Sequence, residues 1–218
     1  MTAATTMEPA RQAAPPRLLH PWGTPVYMAD HDPGLHNDTL LELILQAEKD
    51  DPNAALFGGI NAVKSSDTLL TWQHPAIGWI RARIADAVRA LMTAELGEQE
   101  ARRLDTGARA EAWAVVYRAG GSLRPHIHHD SVWSGVYYVA AGDPASPDAG
   151  WLQFIDPRPG ALAVGATGGY HRVQPQAGRM VAFPGWLSHS VLSTADSDKM
   201  RVAIAWNAAY PEDRSVAL

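Results

Sequence analysis

The segment RPHIHHDSVWSGVYYVA, residues 124–140, decides the fold class. It joins a cluster of histidines to a run of β-branched and aromatic residues, a composition that favours strands. Similar short segments continue to the C-terminus, separated by Gly, Pro and Asp turns. We predict strands at residues 112–117, 134–140, 151–155, 161–164, 169–173, 179–183, 189–193 and 201–206. Short strands at this spacing are typical of a mainly β, cupin-like jelly roll, the double-stranded β-helix.

The part of the chain that precedes these strands has helical periodicity. Apolar residues recur at helix spacing within residues 34–50, and Asn37 or Asp38 is a candidate N-cap. A second helix is predicted to begin near Pro75, because proline suits the first turn of a helix. Residues 51–73, which are rich in small and polar residues, are predicted to form a loop.

The domain organisation follows from this change of pattern along the 218 residues. We expect residues 1–17, which are rich in Ala, Thr and Pro, to be a disordered leader. Residues 18–105 are predicted to form a helical N-terminal part that packs on the sheet, and residues 106–218 the double-stranded β-helix core. The length suits one domain overall.

Composition excludes several classes of function. The chain has no cysteine, which rules out disulfides, zinc-thiolate sites and thiol catalysis and fits a reducing cytoplasm, where we expect the protein to act. The net charge is -5 and basic residues are not clustered, so we expect no nucleic-acid partner. No apolar run approaches the ~20 residues of a membrane span, so no membrane partner is expected. The oligomeric state stays open.

The histidine cluster predicts a metal site. Alternate residues of a strand face the same side, so His126, His128 and Asp130 are expected to point one way and His129 the other. Imidazole and carboxylate ligands suit iron, and three ligands on one face leave positions open for substrate and oxygen. A further ligand must come from another strand, and His189 in FPGWLSHS is the best candidate.

An arginine on the last predicted strand suggests what else binds. Arg201 follows His189 by twelve residues and shares its strand face with Ala203, Ala205 and Asn207. A guanidinium matches a carboxylate with two parallel hydrogen bonds, and a 2-oxo diacid needs both a metal and such an arginine. Tyr117 and Asn207 come from flanking strands and are further candidates for binding the 2-oxo acid, although Tyr117 is equally well explained as a core aromatic.

Candidates for the substrate pocket are less sharply defined. Ser134, Tyr137 and Gln153 lie on the predicted strands around the metal site and are our choices for its lining. The leader, the region of Trp72 or the connection 141–150 are candidates for a lid.

Several motifs, in order, resemble one family of 2-oxoglutarate- and Fe(II)-dependent oxygenases known mostly from bacteria and phages. They are AWAVVYRAGGSLRPHIHHDSVWSGVYYV, GWLQFIDPRPG, GRMVAFPGWLSHSV and MRVAIAWN, which together cover roughly residues 110–207. The N-terminal helical part matches only loosely, through Trp72, Gln73 and the loop before them.

The resemblance implies Fe(II), 2-oxoglutarate as co-substrate and dioxygen, with hydroxylation of an unactivated C–H bond in a small molecule or a presented side chain. Matching the family's His-x-His gives His126, His128 and His189 as iron ligands, with Arg201 holding the co-substrate. The commoner triad of such oxygenases includes a carboxylate. A triad of His128, Asp130 and His189 therefore stays an alternative.

Two other functions fit parts of the pattern. A cupin-type metal-dependent dioxygenase or isomerase that does not use 2-oxoglutarate would explain Gly120 before the His-x-His and Gly178 before His189. However, the cupin glutamate is missing and Trp186 replaces a motif glycine. A non-enzymatic β-sandwich binding module would make the histidines incidental. Two measurements discriminate among these three functions: whether the protein binds Fe(II), and whether the Fe(II)-loaded protein then binds 2-oxoglutarate.

Overall fold

The structure is a computed structural model that describes residues 23–51, 58–104, 107–143, 147–158 and 169–210. The predicted leader and the predicted strand at 161–164 lie outside these residues. The elements in chain order are β1 (Tyr27–Asp30), α1 (His36–Asp50), β2 (Gly59–Lys64), a 3-10 turn (Leu69–Thr71), α2 (Pro75–Leu96), α3 (Glu98–Leu104), β3 (Arg109–His126), β4 (Trp133–Ala141), β5 (Leu152–Ile155), β6 (Tyr170–Val173), β7 (Arg179–Pro184), β8 (His189–Val191) and β9 (Arg201–Ala209).

The strands form one curled antiparallel sheet in the order β1-β7-β4-β9-β3-β8-β5-β6, and β2 pairs with β3 from outside this path. The long strand β3 connects the two walls of the curl. Its residues 109–117 pair with β9, whereas Leu123 and His126 pair with β8. Gly120 lies between these stretches with φ 69°, a conformation that glycine adopts without strain. The predicted double-stranded β-helix is confirmed.

Alternation along the central strands separates a helix face from a cavity face. On β9, Val202, Ile204 and Trp206 belong to the core that also contains the apolar faces of α1 and α2. Arg201 and Ala203 point to the opposite face, inside the curl. The predicted division of this strand into an apolar face and an open, small-residue face is therefore confirmed.

Helix α2 matches its prediction. It begins at Pro75, and His74 caps it by accepting a hydrogen bond from the Ala76 amide through Nδ1 at 3.1 Å. Its buried stripe includes Ile77, Ile80, Ile84, Val88 and Leu91. None of the helices in the described ranges is long and apolar enough to cross a membrane.

The predicted cap of helix α1 is wrong. Leu35 occupies the N-cap position and makes no side-chain capping bond. Asn37 instead points into the protein, where its Nδ2 donates to the Val139 carbonyl at 3.0 Å and its Oδ1 accepts from Tyr137 Oη at 2.6 Å. These buried bonds tie α1 to β4. Two buried hydrogen bonds, one from the NH2 group and one to the oxygen of the amide, stabilise the fold more than one solvent-exposed capping bond would.

Two strands before residue 105 were not predicted. β1 pairs with β7, and β2, which lies in the predicted loop 51–73, pairs with β3. β2 is short and its register shifts between Ile60 and Ala62, so the sequence lacks a clean alternation there. The N-terminal part thus contributes strands as well as helices to the fold. The division of the chain at residues 105 and 106 stays a prediction.

Candidate metal and co-substrate site

Two of the predicted ligands are direct neighbours across a strand pair. His126 is the last residue of β3 and His189 the first of β8, and the two are paired in register. Side chains opposite each other in an antiparallel pair share one face. Their ring centroids are accordingly 4.2 Å apart.

His128 completes the cluster from just beyond the end of β3. Its amide donates to the Gly185 carbonyl at 2.9 Å, which brings the loop back onto the sheet. Its ring lies 5.2 Å from both His126 and His189, measured between centroids. Each of the three rings offers a nitrogen, and these nitrogens all lie within 4.8 Å of one another. The three imidazoles therefore converge as ligands of one metal ion must.

The main chain selects which nitrogen each strand histidine presents. Nδ1 of His126 lies 3.0 Å from the Arg124 carbonyl oxygen, and Nδ1 of His189 lies 2.9 Å from that of Leu187. A carbonyl oxygen only accepts, so both Nδ1 atoms carry the proton and both Nε2 lone pairs are free. Fixing the tautomer through a second partner is the usual arrangement for metal-binding histidines.

The third ring is supported by side chains. His128 hydrogen bonds to the Asn207 side chain. The Oδ1 of Asn207 also accepts from Ser134 Oγ at 2.9 Å, and Ser134 Oγ lies 2.8 Å from Ser131 Oγ. On its other side, His128 stacks on Trp113 with 6.0 Å between ring centroids. Asn207 and Ser134 thus support a candidate ligand.

The cluster favours neutral rings. Burial, followed by the charge of His126, lowers the pKa of His128 to about 4. The same two causes lower the pKa of His189 to about 3. Burial also lowers the pKa of His126. Because a metal binds only unprotonated imidazole, the three rings are in the required state at neutral pH.

A cavity of 520 Å³ extends from the histidines into the curl of the sheet. It is lined by all three rings and by Arg201, together with apolar side chains. Arg201 is only 1% exposed, and no hydrogen-bond partner reaches its Nε among the residues that the structure describes. No Asp or Glu is found among the described residues that line this cavity. A buried guanidinium without a carboxylate is expected to be a site for an anionic ligand.

Two tyrosines enclose the guanidinium. The Arg201 Cζ lies 4.8 Å from the centroid of Tyr117 and 4.9 Å from that of Tyr138. Tyr138 is fully buried, and its hydroxyl finds no hydrogen-bond partner in the described part of the chain. Sequence reasoning missed Tyr138. Alternation was the available signal, since Tyr138 shares a strand face with Ser134 and Val136.

The connection after β4 packs against the same arginine. A Cβ on Gly150 would lie 3.0 Å from Arg201 Cδ, and one on Gly142 would lie 3.4 Å from Arg201 Cβ. Both glycines have positive φ, 68° and 80° respectively. Gly142 and Gly150, which belong to one of the three candidate lid segments, therefore pack closely against Arg201.

The other predicted site residues lie elsewhere. Tyr137 belongs to the core between sheet and helices, on the face opposite the cavity. Gln153 lies on the outside of the β5–β6 hairpin, where its Oε1 accepts from Arg172 Nε at 2.8 Å. Asp130 is exposed in the turn after His128 and is not part of the histidine cluster. The strand ends at His126, so the alternation that would have aligned Asp130 does not continue.

The residues present fit both groups that the motifs imply. Three convergent imidazoles suit a transition metal, and the buried Arg201, which faces no Asp or Glu among the described lining residues, suits a carboxylate. Both lie on one cavity, as a molecule that bridges metal and guanidinium requires.

Residues 111–207 match the model of the family described as "Putative 2OG-Fe(II) oxygenase". The β core of this chain is therefore similar to the 2-oxoglutarate-Fe(II) oxygenases, which confirms the resemblance recognised from the motifs. Fe(II) and 2-oxoglutarate are named in that description, which confirms the predicted cofactors at the level of the family. No curated protein matches the chain by sequence.

Solved structures with the same fold include three oxygenases. A Pseudomonas putida prolyl-4-hydroxylase has a TM-score of 0.60 and 18% identity, over 85% of this chain and 92% of its own. A Trichoplax adhaerens prolyl hydroxylase, in complex with a hypoxia inducible factor peptide, has a TM-score of 0.59 and 14% identity, over 88% of this chain and 87% of its own. HygX from Streptomyces hygroscopicus, with nickel and 2-oxoglutarate bound, has a TM-score of 0.56 and 12% identity, over 87% of this chain and 84% of its own.

Proposed function

We propose that this protein is a Fe(II)- and 2-oxoglutarate-dependent hydroxylase that acts on an unactivated C–H bond of a small molecule or of a presented side chain. The observation that carries the proposal is the shared cavity, whose described lining holds three convergent imidazoles and a buried arginine but no Asp or Glu. When bound, the metal and the 2-oxo acid supply the oxidising chemistry, and the protein positions the reactants.

In this proposal His126, His128 and His189 are the metal ligands, bound through unprotonated ring nitrogens. The two carbonyl oxygens that accept from His126 and His189 hold those rings in orientation. Asp130 is not assigned a ligand role, because it is exposed in a turn outside the cluster.

Arg201 is proposed to bind the distal carboxylate of 2-oxoglutarate. Its charge lies between the faces of Tyr117 and Tyr138, where low exposure strengthens the interaction with an anion. The unpaired hydroxyl of Tyr138 can donate a further hydrogen bond to that carboxylate. The apolar walls Val115, Val136 and Val191 exclude water from the space between the arginine and the histidines.

The test is a titration of the anaerobic, metal-free protein with Fe(II) and then with 2-oxoglutarate. We expect a visible charge-transfer absorption at one equivalent, and succinate release when substrate and oxygen are added. Arg201→Lys keeps the charge but loses the two-pronged geometry, so it should weaken 2-oxoglutarate binding while Fe(II) binding persists.

Arg118→Ala is the matched control. Arg118 forms a surface ion pair with Glu48 at 2.7 Å, so its loss should leave the absorption unchanged. Tight Fe(II) binding without the absorption would favour a cupin-type enzyme that does not use 2-oxoglutarate. If the protein binds no Fe(II), both metal-dependent functions are wrong and the non-enzymatic binding module remains.

A further inference from the structure

Lys64 is a second cation on the same cavity, and neither the motifs nor the proposed function gives it a role. It is the last residue of β2 and pairs with Val115 of β3. Its ammonium lies 4.4 Å from the centroid of Trp113, the ring on which His128 stacks. It therefore lies beside the metal cluster and not beside Arg201.

The ammonium is available to a ligand. The Lys64 side chain is 28% exposed, and its charged partner is Asp67, whose Oδ1 is 2.5 Å away. Asp67 is 49% exposed and does not line the cavity. An ion pair this exposed to water is weak and exchanges readily for another anion. Trp113 holds the lysine over the cavity whether or not Asp67 stays paired.

The charges in the cavity are unbalanced without a further anion. A divalent metal and a dianionic 2-oxo acid compensate each other, and the three imidazoles contribute no charge when they bind a metal. The described lining residues include Arg201 and Lys64 as cations and no Asp or Glu. Arg201 and Lys64 therefore leave the lining of the loaded cavity positive, and Asp67 offsets Lys64 only from outside that lining, where it is 49% exposed to water.

We propose that Lys64 selects substrates that carry an anionic group, a carboxylate or a phosphate, which pairs with its ammonium while an apolar body packs beside the metal. Trp113 lies against Lys64, and Leu123 and Ile127 add apolar surface to the same cavity. The volume of 520 Å³ falls within the ~300–1,000 Å³ range of small-molecule sites, which leaves room beside the co-substrate. This inference rests on the proposed function and adds the substrate class to it.

The test measures binding and not turnover. The protein is loaded with Ni(II) and 2-oxoglutarate, then titrated with small carboxylates, each matched with its neutral carboxamide, and with the corresponding phosphate monoesters. Calorimetry gives the affinity. Since the chain has eight tryptophans, the part of the fluorescence change that is lost in Trp113→Phe reports binding beside Lys64. The tightest anionic compounds should bind at least tenfold more strongly than their amides. Comparing the affinities of the carboxylates with those of the phosphate monoesters shows which of the two anionic groups the site prefers.

Variants at Lys64 decide the assignment. Lys64→Met should reduce the preference for the anion to less than twofold, and Lys64→Arg should retain it. Asp67→Asn removes the partner and keeps the lysine, so the preference should persist or grow. Equal binding of anions and amides by the native protein overturns the proposal, as does a preference that survives Lys64→Met. Failure to load Ni(II) or 2-oxoglutarate would instead defeat the proposed function itself.

Discussion

The rings of His126 and His189 face each other across the β3–β8 pair with 4.2 Å between centroids, and each donates its Nδ1 proton to a main-chain carbonyl. Strand pairing sets the positions of the two rings, and the main chain sets their tautomers. Preorganised ligands lose little conformational freedom when the ion binds.

Replacing His189 with alanine should abolish tight metal binding. The loss in Fe(II) or Ni(II) affinity should exceed the ~10–100-fold cost of removing an outer hydrogen-bond partner, because a ligand itself is removed. Calorimetric titration measures it. His129→Ala is the control, since that residue is exposed next to the cluster and lies outside it. Asp130→Ala should also bind metal normally, and a large loss there would restore the carboxylate triad.

Asn207→Leu should weaken metal binding without removing a ligand. The asparagine hydrogen bonds to His128 and accepts from Ser134, so its loss frees the ring to rotate. We expect about a 10–100-fold loss of metal affinity. Asn207→Asp keeps an acceptor but loses the amide that donates to Glu111 Oε1 and puts a second carboxylate there, so it should recover only part of the affinity. Unchanged affinity in the leucine variant, with an unchanged melting temperature, would show that Asn207 does not position His128.

Gly135→Ala should destabilise the fold strongly. An added Cβ would overlap the Trp206 ring and lie 2.7 Å from the Val181 carbonyl oxygen, and neither group can move out of the core. Overpacking of this kind costs about 1–3 kcal/mol or more. Gly78→Ala is the matched control in helix α2, where nothing lies within 4 Å of the added Cβ. That change should stabilise by ~0.5–1 kcal/mol. Urea unfolding compares the two variants, and equal stabilities would contradict the packing argument.

The metal-free protein should lose stability as the pH falls below 6.5. Burial and the charge of His126 lower the pKa of His128 to about 4 and that of His189 to about 3, whereas both have their usual value of 6.5 when unfolded. Between 6.5 and these values the unfolded chain binds more protons, so stability rises with pH in this window. Above pH 6.5 the two rings are largely unprotonated in both the folded and the unfolded chain, so they no longer make the stability depend on pH.

Melting temperatures measured from pH 7 to pH 4 test this dependence. His189→Asn removes one of the three rings whose pKa burial lowers, so its melting temperature should fall less steeply across the window. An identical slope in the variant and the native protein would mean that other groups control the acid sensitivity.

The sequence predicted the strand core and the cluster well because both depend on short-range patterns. Alternation placed Arg201 and Ala203 on one face of β9, and the His-x-His preceded a distal histidine that strand pairing brings alongside. Alternation also misled where the strand ended. His126 is the last residue of β3, so Asp130 falls in an exposed turn.

What the sequence could not supply depends on contacts between distant segments. Asn37 was predicted as a helix cap, but its amide satisfies Tyr137 and the Val139 carbonyl about a hundred residues away. Tyr137 was predicted to line the pocket but lies in the core, and its neighbour Tyr138 is the tyrosine of this strand that lies against Arg201. Lys64 was hidden because β2 lies in a stretch with loop-like composition. Each of these depends on which strands become neighbours, and local composition does not record that.

Strand β2 lies outside residues 111–207, the segment that matches the oxygenase family, yet it contributes Lys64 to the cavity wall. The histidines and Arg201 all lie inside that segment. On the proposed assignments, the cation that selects the charge of the substrate therefore comes from outside the segment that holds the candidate ligands. Because β2 pairs with β3, an exchange of the N-terminal segment between relatives would alter substrate choice only if the incoming strand keeps this pairing.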